Sequence, residues 1–327
     1  MKKVNSNSKT VKTVKTNSGI KRFAGFFIVS ALMIMIIIAS AVMVSAAETM
    51  VSNDKVKIDF TDSDATGTVK INITEATAKQ AYDEKNDKIL KKVKVSIDKG
   101  DLKYTYDLNS KGNIESFPLQ WGNGDYNVKV MIQASDPTKY SIALTQKITL
   151  KLKDEKSPFM NSNQLVNYNK DSKVVKKAAE LTKNCKTELE KVETIYKFVI
   201  ESLEYDSKKA AEVQPGYLPS VDTIVDSKKG ICFDYAAVLA AMLRSQGIPA
   251  KLVMGYVKVP DSKDAVYHAW NEFYLKDKGG WFKINEMKFD GKKFERVDPT
   301  FDSSNKSNKA VIKFIGDGSN YSKSWEF

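Results

Sequence analysis

The sequence predicts an α+β protein: an all-β, immunoglobulin-like sandwich, then a half in which helices precede an antiparallel sheet, all behind an N-terminal membrane segment. Three observations predict this. Residues 23–47 carry no charge, residues 51–153 alternate apolar and polar side chains with period two, and residues beyond 165 switch to helical spacing before strand patterns return. A length of 327 residues suits two domains plus a targeting segment, and 42% apolar with 28% charged residues excludes wholesale disorder.

The basic stretch 1–22 holds seven of the 52 basic residues and none of the 40 acidic ones, so the net charge of +12 falls to +5 over the remainder. Only three basic residues are arginine (Arg22, Arg244, Arg296), and the lysines are interleaved with Asp and Glu, so nucleic-acid binding is not expected. The run at 23–47, FAGFFIVSALMIMIIIASAVMVSAA, is long enough to meet a membrane. Lys21-Arg22 marks the cytoplasmic side, so the rest of the chain is expected to be extracytoplasmic, secreted or anchored in the cell envelope. Ser45, Ala46 and Ala47 resemble a signal-peptidase site while the run exceeds a usual signal core, which leaves a cleaved signal peptide and a retained anchor both open.

Within 48–153 the pieces VKIDF, TGTVKINIT, KVKVSI, LKYTYDL, YNVKVMI and YSIALTQKITLKL read as half-buried strands, separated by turns such as NSKGN and GNGD. No cysteine falls here, so the disulfide of antibody domains is absent. The segment 154–164, DEKSPFMNSNQ, breaks the alternation and is expected to be a linker to a second domain at 165–327. There, 172–183 and 187–204 predict helices, with Val192, Ile195, Tyr196, Val199 and Leu203 on one stripe. A third helix begins near Cys232 and stops at Gly247; it is apolar nearly all round and belongs at the centre of a core. AKLVMGYVKV, VYHAWNEFYL, GWFKINE and FERVD then read as strands.

Two cysteines and one histidine are too few for a closed structural zinc site. Cys232 opens a helix, where unpaired N–H groups and the dipole favour a thiolate, and Gly230 permits a tight entry. Asp234 points to a different face of that helix from Cys232. Taken alone, Cys232 reads first as a small buried hydrophobe on a stripe with Ala236, Leu239 and Leu243. His268 is the only histidine and hence the base such a thiol would use; alternation puts it on one strand face with Trp270 and Glu272. Asp298, in RVDPTFD, ends a strand where Pro299 forbids continuation and suits the orientation of an imidazole. The Asp-Pro pair also reads as plain turn chemistry, Asp290 and Asp302 are rival carboxylates, and a Cys185–Cys232 disulfide is the alternative use of the sulfur.

The order of Cys232, His268 and Asp298, together with KKGICFDYAAVLAAMLRSQGIPAKLVMGY, YHAWNEFYL, WFKINE and VDPTFD, resembles the transglutaminase-like superfamily over about 174–301. The resemblance implies a papain-like transglutaminase core of helices plus antiparallel sheet, with Cys232 as nucleophile, His268 as base and Asp298 as orienting carboxylate. It implies acyl transfer through a thioester on amide or peptide bonds of proteins or peptides, hydrolytic or cross-linking, with no metal or organic cofactor. Animal cross-linking members carry a tryptophan upstream of the nucleophile that donates to the oxyanion. Here the upstream tryptophan is Trp121, in the other domain, which leaves the Cys232 backbone N–H and Tyr205 as candidate donors. The alternative from a different class is a non-catalytic envelope scaffold that keeps the fold.

Overall fold

Besides a short ribbon of Tyr82–Asp83 and Lys88–Ile89, the N-terminal half forms eight strands: β1 (Met50–Ser52), β2 (Val56–Asp59), β3 (Thr68–Ile73), β4 (Val93–Lys99), β5 (Leu102–Leu108), β6 (Glu115–Pro118), β7 (Gly124–Gln133) and β8 (Tyr140–Leu150). They make two four-stranded antiparallel sheets, ordered β1-β2-β3-β6 and β8-β7-β4-β5. Period-two patterning sends one set of side chains inward: Val56, Ile58, Val69 and Ile71 from the first sheet and Val93, Val95, Ile97, Val128 and Val130 from the second are fully buried in one cluster. Each contributes about 1.5–3 kcal/mol by leaving water. The strand patterns quoted above all fall on strands; β1 and β6, short and on sheet edges, carry too little alternation to be read.

The computed structural model describes residues 49–259, 263–276, 282–284, 287–289, 295–304 and 309–327. The apolar run 23–47 and the rival carboxylate Asp290 lie outside the described residues, among which no helix is long and apolar enough to cross a membrane.

The second half supplies helices α1 (Lys173–Thr182), α2 (Glu188–Ser202), α3 (Ser207–Glu212), α4 (Val221–Ser227) and α5 (Cys232–Ser245), followed by strands β9 (Ala250–Val257) and β10 (Val266–Phe273). Then come β11 (Glu295–Val297), α6 (Pro299–Ser304), α7 (Lys309–Asp317) and β12 (Tyr321–Glu326). The sheet is antiparallel and ordered β11-β10-β9-β12. Helix α5 lies at the centre, packed by α1, α2, α4 and α6 and by β9 and β10, with every residue from Tyr235 to Leu243 fully buried. An all-round apolar helix has no other stable place. It ends where Gly247 adopts φ +79°, so that Gly247 N–H reaches the Arg244 carbonyl at 3.0 Å and Ile248 N–H the Leu243 carbonyl at 3.1 Å.

Segment 154–164 is packed rather than free. Ser157, Pro158, Phe159, Asn163 and Gln164 are buried, and the segment is bonded on both sides: Asn161 Nδ2 donates to Thr66 O at 3.0 Å, while Arg244 Nη1 donates to Asn161 O at 2.8 Å. Arg244 is itself buried and also donates to Ala250 O and Phe327 O at 2.8 and 2.6 Å, so one guanidinium ties the end of α5 to three distant chain segments. Burial pulls it down to about 10. Residues Thr49–Phe327 form one compact unit, and the core of the N-terminal sheets is continuous with that around α5.

Candidate active site

Cys232 is the first residue of α5, so its backbone N–H has no intrahelical acceptor and the positive end of the helix faces its sulfur. The approach to it is tight. A Cβ on Gly230 would lie 2.6 Å from Asp234 Cβ, which is why only glycine fits there. Asp234, fully buried, folds back to cap the helix: Oδ2 accepts from Ile231 N at 2.9 Å. The same carboxylate accepts from Lys209 Nζ and from Tyr217 OH, pinning the segment 206–218 beside the nucleophile. A parallel bridge between Glu204–Tyr205 and Lys229–Gly230 holds Tyr205 there as well.

His268 sits on β10, and strand alternation turns it, with Trp270, toward α6 and β12, where it stacks on Phe301 at 4.6 Å. Its Nε2 lies 2.7 Å from Asp298 Oδ2. Cys232 lines the same cleft as this ring and lies close enough to contribute to the ring's raised pKa. Burial opposes a charge on the imidazole, but the Asp298 charge and hydrogen bond, with Cys232 adding to them, win and push His268 up to about 10. The ring therefore holds its second proton more tightly than a free imidazole does.

Asp298, fully buried, divides its two oxygens between two tasks. Oδ1 accepts from Thr300 N at 3.2 Å and Phe301 N at 3.1 Å, capping α6 just ahead of Pro299 at its first position, and Oδ2 serves the histidine. The turn hydrogen bonds and the contact to the imidazole are thus made by one carboxylate. The other described rival, Asp302, is bonded to Tyr196 OH at 2.8 Å on the same buried network, whereas the carboxylate bonded to the imidazole is Asp298.

Sequence reasoning missed Tyr321, whose hydroxyl donates to Asp298 Oδ2 at 2.9 Å. Burial, then the Asp298 charge, raises this phenol far above its ordinary value, so it stays a donor. No spacing rule links residue 321 to 298 across the intervening helices, and the strand that carries it was not read.

Cys232 is half-buried and opens onto a cleft of about 650 Å³ together with His268. Tyr205 and Tyr267 line it too, and both phenols are raised by burial first, with the Cys232 charge also contributing, which puts both within electrostatic reach of the sulfur. The N-terminal sheets contribute to the lining through Tyr104 to Asp107 of β5, as does the turn 213–218. Trp121 stacks on Tyr126 at 6.1 Å and is not among the lining residues. Both cysteines are free, with Cys185 Sγ 3.6 Å from Thr194 Oγ1, which removes the disulfide alternative. Among the described residues no group of three or more His, Cys, Asp or Glu could hold a metal ion.

The arrangement offers a thiol at a helix start, an imidazole beside it, a buried carboxylate behind the ring and a cleft in front. Residues 175–286 match the family model of the transglutaminase-like superfamily. This stretch is a transglutaminase-like domain. The match contains Cys232 and His268 and ends before Asp298, which joins them through the 2.7 Å contact. No curated protein matches the chain. Solved structures similar to it include a candidate cysteine protease from Cytophaga hutchinsonii, at TM-score 0.33 and 16% identity over 64% of this chain and 68% of that one. The periplasmic domain of TgpA from Pseudomonas aeruginosa gives 0.32 and 16% over 59% and 74%. Red sea bream transglutaminase gives 0.27 and 14% over 71% and 48%. At these scores the likeness carries no functional weight.

Proposed function

We propose that this protein is a cysteine-dependent acyl-transfer enzyme acting on amide or peptide bonds of proteins or peptides. The single observation that carries the reading is that the half-buried Cys232, at the start of α5, opens onto the same cleft as His268, whose ring Asp298 holds at 2.7 Å. In this reading Cys232 attacks as the thiolate, the reactive form of cysteine, which a cationic neighbour favours. The carbon–sulfur bond forms as the carbonyl π electrons move to oxygen. Collapse of that intermediate expels the amine, which takes its proton from His268, and leaves a thioester; water or a primary amine then attacks the thioester, His268 takes the proton of that nucleophile, and the thiolate is regenerated. The Cys232 N–H stabilises the oxyanion, with Tyr205 as second donor.

Asp298 keeps the ring oriented and charged, and its bond to Nε2 leaves Nδ1 free for the proton transfers. We further read the two N-terminal sheets as an immunoglobulin-like accessory domain at 48–153, and the charge-free run 23–47 behind Lys21-Arg22 as the segment that exports or anchors the protein.

The test is a comparison of wild type and Cys232→Ala on a mixed peptide pool with and without an added primary amine, read by mass spectrometry. New termini that require Cys232 identify a hydrolase, and amine incorporation that requires Cys232 identifies a transferase. Identical product spectra for the two proteins contradict the enzymatic reading and support a scaffold.

A further inference from the structure

Part of the lining of the cleft that holds Cys232 is the edge of a sheet. β5 ends the order β8-β7-β4-β5 and pairs with β4 alone. Four consecutive residues of β5, Tyr104 to Asp107, line the cleft. Successive side chains of a strand point to opposite faces, so four in a row meet a cleft only when the strand presents its backbone edge.

The direction of the backbone groups follows from one hydrogen bond. In an antiparallel ladder residues alternate between those whose N–H and C=O point to one neighbour and those whose groups point to the other. The Asp107 carbonyl accepts from Gln164 Nε2, away from β4. Two residues earlier, Thr105 therefore turns its own N–H and C=O the same way, and Thr105 is exposed. A strand edge with free, outward backbone groups is a template for another chain. Tyr267, His268 and Ala269 of β10 line the cleft as well, and the pairing of β10 with β11 runs only from Asn271 to Phe273.

The chemistry of the lining says what kind of chain fits. The protein has 52 basic residues, yet neither lysine nor arginine is among the described residues that line the cleft. The one carboxylate there, Asp107, is already paired with Lys94 at 2.6 Å. Tyr104, Tyr205, Tyr267, Phe233 and Leu218 supply apolar surface. Such a cleft suits uncharged amides and apolar side chains rather than an ionic ligand.

We propose that the substrate binds as an extended polypeptide strand added to the outer edge of β5, through main-chain hydrogen bonds to Thr105, which carries the reacting carbonyl across the cleft to Cys232. This rests on the reading of Cys232 as nucleophile and goes beyond it: the N-terminal sheets become part of the substrate site rather than a spacer. Main-chain pairing of this kind gives affinity with little demand on sequence, while the aromatic lining favours apolar side chains next to the reacting residue. Short amides that cannot reach β5 are poor substrates.

The test uses the full chain and one blocked decapeptide that wild type turns over in the pool experiment. Proline is tolerated on an edge strand where the N–H faces outward, so Thr105→Pro removes the proposed donor without breaking the β4–β5 ladder. It should raise KM for the decapeptide roughly tenfold, the effect of losing a main-chain hydrogen bond, while Ser141→Ala, on the other edge strand β8 and away from the cleft, leaves KM unchanged. Iodoacetamide labelling of Cys232 should be equal in all three proteins. A scan of singly N-methylated decapeptides against wild type gives the reciprocal readout without altering the protein: methylation at the amide facing Thr105 should raise KM similarly and its immediate neighbours should not. Wild-type KM for both Thr105→Pro and every methylated peptide overturns the strand-addition proposal while leaving the nucleophile intact. Turnover of the decapeptide by Cys232→Ala at the wild-type rate overturns the functional reading instead.

Discussion

The two walls of the cleft are built differently. On one, Cys232, His268 and Asp298 are held by buried contacts: the histidine is 6% exposed, the aspartate 0%, and the polar atoms around them bond to one another. On the other, Thr105 and Asp107 of β5 are exposed, and little but backbone is on offer. Reactivity needs groups fixed to a fraction of an ångström in a low-dielectric setting, whereas binding a chain of variable sequence needs an accessible edge. The difference teaches that substitutions on the first wall should act on kcat and those on the second on KM.

The largest effect that would break this division is at Asp298. Asp298→Asn keeps the shape, removes the charge that sustains the imidazolium, and should lower kcat by on the order of 10³-fold with little change in KM. An equal rise in KM in steady-state assays would place Asp298 on the binding side. Next is Tyr205→Phe, expected to cost about 10²-fold in kcat if the hydroxyl donates to the oxyanion and nothing if it merely lines the cleft. Tyr321→Phe should have a smaller effect, roughly tenfold on kcat. It frees Asp298 Oδ2 to serve His268 alone, so the basic limb of the kcat/KM profile should move upward in pH, which loss of packing would not do.

A thermodynamic check sharpens the same contrast. His268 is raised from 6.5 to about 10 in the folded protein, so it binds its proton more tightly folded than unfolded. Its contribution to stability is complete below about pH 6.5 and is lost as pH rises toward 10. Chemical denaturation of wild type and His268→Gln should therefore give a stability difference that shrinks across that window. A difference that grows with pH contradicts the charged pair.

The elements that carry Cys232, His268 and Asp298 were legible in the sequence because each residue sits where a local rule applies. Cys232 opens a helix whose all-round apolarity marks it as central, His268 lies on an alternating strand, and Asp298 precedes a proline. Their meeting needed the family resemblance, since a helix start and two strand ends carry no record of their distances. The binding wall was not legible. LKYTYDL reads as a strand whether it lies at an edge or in the middle of a sheet, and edge position is set by which strands pair, a non-local choice. Asp234 was assigned only a direction away from the sulfur; its bonds to Lys209 and Tyr217 come from a segment whose short helix, α3, has no periodicity to read. The polar letters of 154–164 suggested a tether, but Arg244 and Thr66 satisfy that polarity internally.

The most direct measurement compares alkylation of the two thiols by iodoacetamide at mildly acidic pH, followed by peptide mapping, in wild type and in His268→Gln. Cys232 should react at least about tenfold faster than Cys185 in wild type and lose that advantage in the variant, because a cationic neighbour favours the reactive form of a thiol. Equal rates for the two cysteines in wild type, or a Cys232 rate indifferent to the loss of His268, would contradict the account.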